Sequence, residues 1–274
     1  MSDNKGNKKS IKYPNIISYG CAKKIIEQME KNICKIKLET KQATGFFCKI
    51  PFPDLNNMMP VLIINNHVIN ENEYKITIKI REEDESRIIY LNDRLKYTNK
   101  EYDITILEIK ENEINNYLEL DDNIINDILN NNNKNEEYLD ESLYIIQYPN
   151  NKLSVSYGIL NNIYENEKYN FHHRCNTNTG SSGSPILNIN NNKIIGIHKK
   201  SKDEGDNTGL FLNYPIKEFI KLYFNNKILE EFNKKYNLNI KDTNSTKLDL
   251  SNKKIENQGL KELCKIKFKR IKFK

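Results

Sequence analysis

The sequence predicts an all-β protein in two halves, and three observations predict it. Tyr74, Ile76, Ile78 and Ile80 alternate with polar residues, the pattern of a strand with one buried face. The apolar run within residues 60–69 indicates a buried strand that leads into a turn. Between about residues 110 and 142 the periodicity fails and Asn and Glu dominate, so this stretch separates the two groups of strands.

The other elements follow in chain order. Apolar residues at helical spacing from Ser18 to Met29 predict a short amphipathic helix that caps a barrel. A final helix opens at Pro215, because proline is tolerated in the first turn of a helix. The strand pattern places strands of the first half near 34–38, 43–50, 60–69, 74–80, 87–91 and 103–109, and strands of the second half near 143–146, 153–160, 169–175, 194–198 and 209–212.

The positive charge belongs to the tail. The formal net charge is +6, but nine Lys or Arg and two Glu between residues 252 and 274 give a local balance of +7. The rest of the chain therefore sums to about −1, so its charge is no argument for nucleic-acid binding. A nucleic-acid or membrane patch in residues 252–274 is the weaker alternative to a solvated lysine-rich face.

The ends and the cysteines predict a reduced, cytoplasmic protein. Residues 1–12 are polar, without the apolar core of a signal peptide, and no segment has the length and hydropathy of a transmembrane helix. The five cysteines are odd in number and lack metal-ligand spacing, which favours free thiols. We expect no metal, no organic cofactor and no membrane partner.

The candidate nucleophile is Ser182, within the stretch Thr179–Pro185. A serine hydroxyl needs a base to take its proton and donors for the oxyanion that forms on the attacked carbonyl. Gly180 and Gly183 allow a sharp turn that could aim the amides of Gly180 and Ser182 at one point. Taken alone, this stretch is better explained as a Gly/Ser turn in a hairpin.

Two upstream residues supply the missing roles. His67 follows the buried run of residues 60–64 and is the candidate general base, while Asp103 heads an apolar strand and would orient the imidazole. Considered alone, a histidine or an aspartate at the end of a strand is more often a structural residue than a catalytic one. Together with Ser182 they fall in the order His, Asp, Ser.

Four segments resemble the blocks of the chymotrypsin-like serine peptidases, most closely the trypsin-like and glutamyl endopeptidase branch: residues 44–47, 66–69, 103–107 and 180–185. The resemblance covers roughly residues 15–235. It implies two six-stranded antiparallel β-barrels with the triad between them, His67 and Asp103 from the first and Ser182 from the second. It also implies hydrolysis of peptide or protein substrates.

The resemblance further implies a substrate pocket. Thr177 and His198 stand where glutamyl endopeptidases hold an acidic side chain, which predicts cleavage after Glu or Asp. Asn176 stands where trypsin-like enzymes carry an acidic residue for basic substrates. His198 could equally be a barrel residue without a ligand. Ser181 replaces the aspartate that serves zymogen activation in the trypsin branch, so we expect no such switch.

The predicted domains are a flexible head over residues 1–15, the peptidase domain over 16–235, and a basic segment over 245–274. The last segment resembles the start of a leucine-rich repeat, with Leu248, Leu250 and Leu260 at the expected spacing, and would offer a surface to a protein partner. The competing hypothesis is a catalytically silent peptide-binding or repeat-scaffold protein on the same fold.

Overall fold

The computed structural model describes residues 12–38, 42–53, 57–81, 84–110, 112–130, 134–201 and 207–236. Its architecture is mostly β and confirms the predicted fold class: one seven-stranded sheet and one closed six-stranded barrel, both antiparallel. Both lie in the compact unit that ends at Ile216.

The N-terminal half is the seven-stranded sheet. Its strands are β1 Ile33–Lys37, β2 Gln42–Pro51, β3 Met58–Ile64, β4 Lys75–Lys79, β5 Arg87–Tyr90, β6 Lys96–Asn99 and β7 Ile104–Glu108. They are ordered β5-β4-β1-β2-β3-β7-β6. The resemblance implied six strands in a closed barrel, whereas the described ladder has a seventh strand and open ends. The additional strand is β6, which has four residues and too little apolar alternation to be predicted.

The C-terminal half is the closed barrel. Its strands are β8 Ser142–Gln147, β9 Ser154–Ile163, β10 Asn170–His173, β11 Pro185–Asn188, β12 Ile194–Lys200 and β13 Asn207–Phe211. They follow the ring β10-β13-β12-β11-β8-β9, closed by the pairing of β9 with β10. Six strands here agree with the number that the resemblance implied.

The first helix, α1 Tyr19–Lys31, lies where the periodicity predicts it. It begins after Ser18, whose hydroxyl accepts the main-chain N–H of Cys21 at 3.2 Å, an ordinary N-cap. Gln28 faces the C-terminal barrel: its amide donates to the carbonyl of Asn192 at 2.9 Å, and its side-chain oxygen accepts from the hydroxyl of Tyr144 at 2.7 Å. The helix therefore covers the C-terminal barrel.

The segment between the two halves contains structure that the sequence did not predict. We expected an irregular crossing, but α2 Asp122–Asn130 forms there, followed by a 3-10 turn at Asn135–Tyr138. The Ile and Leu residues of α2 do recur at helical spacing, but they lie within an Asn-rich stretch that favoured the interpretation of an irregular crossing. Tertiary contacts hold the helix, because the buried carboxylate of Asp127 accepts from the side-chain amide of Asn213 at 3.0 Å.

The last described element is α3 Asn213–Tyr236, which contains Pro215 in its first turn as predicted. None of the helices in the described ranges combines the length and hydrophobicity that a membrane crossing requires. Cys21, Cys34, Cys48 and Cys175 are free thiols.

The predictions for the two ends fall mainly outside the described residues. Of the predicted head, 1–15, only residues 12–15 are described, and there Lys12 forms an ion pair with Asp140. The predicted repeat segment, 245–274, lies wholly outside the described residues, so its structure stays a prediction.

Candidate active site

His67 and Asp103 form a hydrogen-bonded pair. The Nδ1 atom of His67 lies 2.8 Å from Oδ2 of Asp103, and the main-chain N–H of His67 donates to Oδ1 at 2.9 Å. A carboxylate only accepts, so this geometry places the imidazole proton on Nδ1 and leaves Nε2 as the acceptor. That is the tautomer that a general base needs.

The backbone presents Asp103 to His67 in an unusual conformation. Asp103 has φ of 55°, in the left-handed region that Asp tolerates better than most non-glycine residues. Its carbonyl accepts from the side-chain amide of Asn65 at 2.9 Å, and the carbonyl of Asn65 in turn accepts from the main-chain N–H of Val68 at 3.2 Å. Asn65 therefore ties the turn before β7 to the turn that carries His67.

Ser182 sits on a turn built by two glycines with positive φ, 97° at Gly180 and 85° at Gly183. Thr44 of β2 holds this turn from the other half of the protein. Its N–H donates to the carbonyl of Ser182 and its hydroxyl to the carbonyl of Gly180, both at 2.9 Å. The same hydroxyl accepts from the N–H of Tyr148 at 2.9 Å, so all of these contacts join the two halves.

The turn of residues 179–183, which carries the candidate nucleophile Ser182 and is called the nucleophile turn below, has two main-chain N–H groups that could bind a ligand. Among the described residues no acceptor bonds the N–H of Gly180 or that of Ser182. The neighbouring amides are occupied, since Ser181 donates to the carbonyl of Asn178 at 2.9 Å and Gly183 to that of His198 at 3.1 Å. Two unoccupied amides on one turn are suited to an oxyanion.

A cleft of about 890 Å³ brings the predicted site residues together. His67, Asp103, Gly180 and Ser182 line it, as do Thr177 and His198. His67 and Asp103 are the hydrogen-bonded members, and Ser182 joins them as a neighbour in the wall. The part of the chain that the structure describes contains no group of three or more His, Cys, Asp or Glu arranged to hold a metal ion.

His198 is backed by a second buried histidine, His173, which the sequence analysis missed. His198 is 1% exposed and His173 fully buried, and Nδ1 of His198 lies 3.1 Å from Nε2 of His173. The N–H of Cys175 donates to Nδ1 of His173 at 3.3 Å, so the proton of a neutral His173 is on Nε2 and points to His198. His198 then keeps its own proton on Nε2.

Ser201 is another residue of the cleft that the sequence analysis missed. Its hydroxyl lies 2.7 Å from that of Thr177, and both residues line the cleft with His198. The only sequence signal for it was its position just after the strand that carries His198. The cleft wall therefore holds two hydroxyls and an imidazole, all capable of donating.

The buried histidine pair predicts loss of stability in mild acid. Burial lowers the pKa of His198 to about 3, with a smaller contribution from His67, and burial also lowers the pKa of His173, which His198 and His172 lower further. The unfolded chain takes up these protons below pH 6.5, whereas the folded chain does not. The contribution of these two histidines to the free energy of unfolding is thus fully present above pH 6.5 and is lost as the pH falls towards 3.

Urea unfolding between pH 6.5 and 5 measures this effect. Each histidine contributes a slope approaching about 1.4 kcal/mol per pH unit. The variant His173→Gln should lose one of the two contributions. A free energy of unfolding that stays constant between pH 6.5 and 5 would contradict the assignment. Ordinary carboxylates titrate below this window and do not obscure it.

Two antiparallel β units that share a cleft lined by a serine, a histidine and an aspartate resemble the arrangement of chymotrypsin-like serine peptidases. The family model of the trypsin-like peptidase domain matches residues 44–197, more than half of the chain. The chain therefore belongs to the trypsin-like peptidase family, a class of serine peptidases. A search of curated proteins found no match.

Solved structures with the same fold include three proteases. A serine endoprotease from Yersinia pestis has a TM-score of 0.50 and 16% identity, covering 79% of this chain and 67% of that chain. The Rv3671c protease of M. tuberculosis H37Rv, in an inactive form, has a TM-score of 0.52 and 13% identity, covering 74% of this chain and 93% of that chain. The HtrA-type protease AlgW with a tripeptide has a TM-score of 0.53 and 16% identity, covering 73% of this chain and 62% of that chain. At these identities the likeness concerns the fold.

Proposed function

We propose that the protein is a serine endopeptidase whose nucleophile is Ser182. The observation that carries the proposal is the His67–Asp103 pair, which leaves Nε2 of His67 unprotonated in the cleft that Ser182 lines. Nε2 takes the proton of Ser182 Oγ as Oγ attacks the substrate carbonyl carbon, and the amides of Gly180 and Ser182 stabilise the oxyanion.

The same histidine completes the cycle. His67 returns the proton to the leaving amine, which departs and leaves an acyl group on Ser182. A water molecule then attacks the acyl carbon with His67 again as the base, and the carboxylic acid leaves. Asp103 stabilises the imidazolium at each step. No part of this cycle needs a metal or an organic cofactor.

We further propose a preference for Glu or Asp before the scissile bond. The hydroxyls of Thr177 and Ser201 lie 2.7 Å apart, and a neutral His198 offers its Nε2 proton to the same cleft. One hydroxyl donates to the other, so the remaining hydroxyl proton and the Nε2 proton of His198 are two donors for a carboxylate, whose oxygens only accept. The cleft wall also carries Lys199 and Lys200, which favour an anionic side chain over a cationic one.

A fluorophosphonate probe and a mixed peptide library test both proposals. We expect the probe to label wild-type protein and not Ser182→Ala, because only the activated hydroxyl attacks phosphorus. We expect cuts after Glu or Asp, and we expect the preference for them to fall at least about tenfold in His198→Gln, where a positioned donor to the carboxylate is lost.

The other outcomes are equally informative. A folded protein that neither reacts with the probe nor cuts any peptide would reject the peptidase and favour the silent peptide-binding scaffold. Cuts after other residues would support Ser182 as the nucleophile and reject the preference for Glu or Asp. The repeat-like character of residues 245–274, a protein partner there and a cytoplasmic location stay predictions of the sequence alone.

A further inference from the structure

A second cavity, lined by positive charge, lies beside the catalytic cleft. It measures about 310 Å³, and the described residues that line it are Lys35, Lys79, Arg81, Tyr148, Asn151 and Lys152. Four of these six are cations and none is acidic. We refer to it as the basic cavity.

The placement of two of the lysines indicates a function other than stability. Lys35 of β1 and Lys79 of β4 are direct partners in the antiparallel ladder, and both are half-buried. Like charges directly opposite each other on neighbouring strands destabilise a sheet. Within the described ranges neither these two lysines nor Lys152 has a carboxylate within ion-pair distance. An anionic ligand would remove the repulsion.

The basic cavity is joined to the catalytic cleft through two elements. On β1, Lys35 lines the cavity and Lys37 lines the cleft; two residues along a strand share a face and lie about 7 Å apart. Tyr148 and Asn151, which also line the basic cavity, belong to a turn that is hydrogen-bonded to the nucleophile turn. The N–H of Asn150 donates to the carbonyl of Thr179 at 2.8 Å. A ligand extended along β1 would span both.

The charge and the position together identify the occupant. We propose that the basic cavity binds acidic side chains of the substrate that follow the scissile bond, a proposal that rests on the proposed endopeptidase function. The residue before the bond enters the wall formed by Thr177, His198 and Ser201, and none of these lines the basic cavity. Residues after the bond leave the cleft along β1, towards Lys37 and Lys35.

Three peptides with one common cleavage site test the proposal. The first carries two Asp or Glu at the third to fifth positions after the cut, the second carries Asn or Gln there, and the third carries the acidic pair before the site. The readout is the ratio of kcat/KM for the first peptide to that for the second. We expect about fivefold at low salt, because each partly exposed ion pair contributes a factor of about two to three.

The variants decide whether the basic cavity is the cause. The double variant Lys35→Gln, Lys79→Gln should bring the ratio close to one, mainly through KM, and Lys152→Gln on the exposed turn should lower it in part. The control, Lys23→Gln with Lys24→Gln on α1, removes the same charge outside both cavities and should keep the wild-type ratio. Raising the salt should lower the wild-type ratio.

Several results would overturn the proposal. They are a wild-type ratio of one, an unchanged ratio in the double variant, or an equal gain from the third peptide. The acidic run Glu82, Glu83, Asp84 and Glu85 follows Arg81 in the sequence, and a ratio of one that rises when Glu82 and Glu83 become Gln would make that run the occupant instead.

Failure of the peptidase proposal is recognised separately. If wild-type protein cuts none of the peptides, the binding of a fluorescent copy of the first peptide to Ser182→Ala still tests the basic cavity. Binding that is weakened about fivefold by the Lys35→Gln, Lys79→Gln pair supports an acidic-peptide site without catalysis. Equal binding of the first and second peptides would reject it.

Discussion

Asp103→Asn should lower kcat about 10⁴-fold while leaving the fold intact. In the wild type the carboxylate accepts both the N–H and the Nδ1 proton of His67. An asparagine amide presents an N–H group towards Nδ1, which favours the imidazole tautomer with its proton on Nε2. That histidine cannot take the proton of Ser182, so the rate of fluorophosphonate labelling should fall with kcat.

Asp93→Asn is the matched control for this change. Asp93 has φ of 59°, close to the 55° of Asp103, but it is exposed and lies outside the cleft. The control therefore makes the same chemical change in the same backbone conformation without touching His67, and its kcat should match the wild type. A loss of less than about tenfold in Asp103→Asn would remove Asp103 from the triad.

Gly183→Ala should destabilise the protein by about 3 kcal/mol or more and abolish labelling of Ser182. Gly183 has φ of 85°, where a side chain is strained, and an added Cβ would lie 2.1 Å from the carbonyl oxygen of Thr44. That oxygen is backbone and cannot rotate away. The turn would have to shift, which breaks the hydrogen bond from Thr44 N–H to the carbonyl of Ser182.

Gly20→Ala is the control for the glycine variant. Gly20 lies in α1, and a Cβ there meets no atom within 4 Å. The free energy of unfolding, measured in urea, should stay unchanged or rise by up to about 1 kcal/mol, since alanine favours a helix. A Gly183→Ala variant as stable as wild type would show that the close approach of β2 does not require glycine at position 183.

The parts that sequence reasoning predicted are those with a local signal. Period-two alternation placed β4, and the spacing of apolar residues placed α1. The glycines around Ser182 indicated a sharp turn, and both have positive φ. The helix α2 was missed although its Ile and Leu residues recur at helical spacing, because the Asn-rich composition around it favoured an irregular crossing.

Several site residues had no local signal. Thr44 looks like an ordinary strand residue, yet its N–H and hydroxyl hold the nucleophile turn across 138 and 136 positions of sequence. His173 of β10 gains its role only from facing His198 of β12, and Ser201, just after β12, gains its role only from facing Thr177 in the loop before β11. The basic cavity is invisible in the net charge, because the charge of the body outside the tail is close to zero.

The sequence by itself determined the chemical groups, their order along the chain and the strands that carry them, since these depend on residue type and short-range periodicity. Only the tertiary structure decided which groups meet. The bond between His67 and Asp103 closes a loop of 36 positions, and the pairing of Lys35 with Lys79 depends on the register of β1 and β4. Such distances follow from how strands pair and sheets pack, and a non-local pairing leaves no trace in either segment alone.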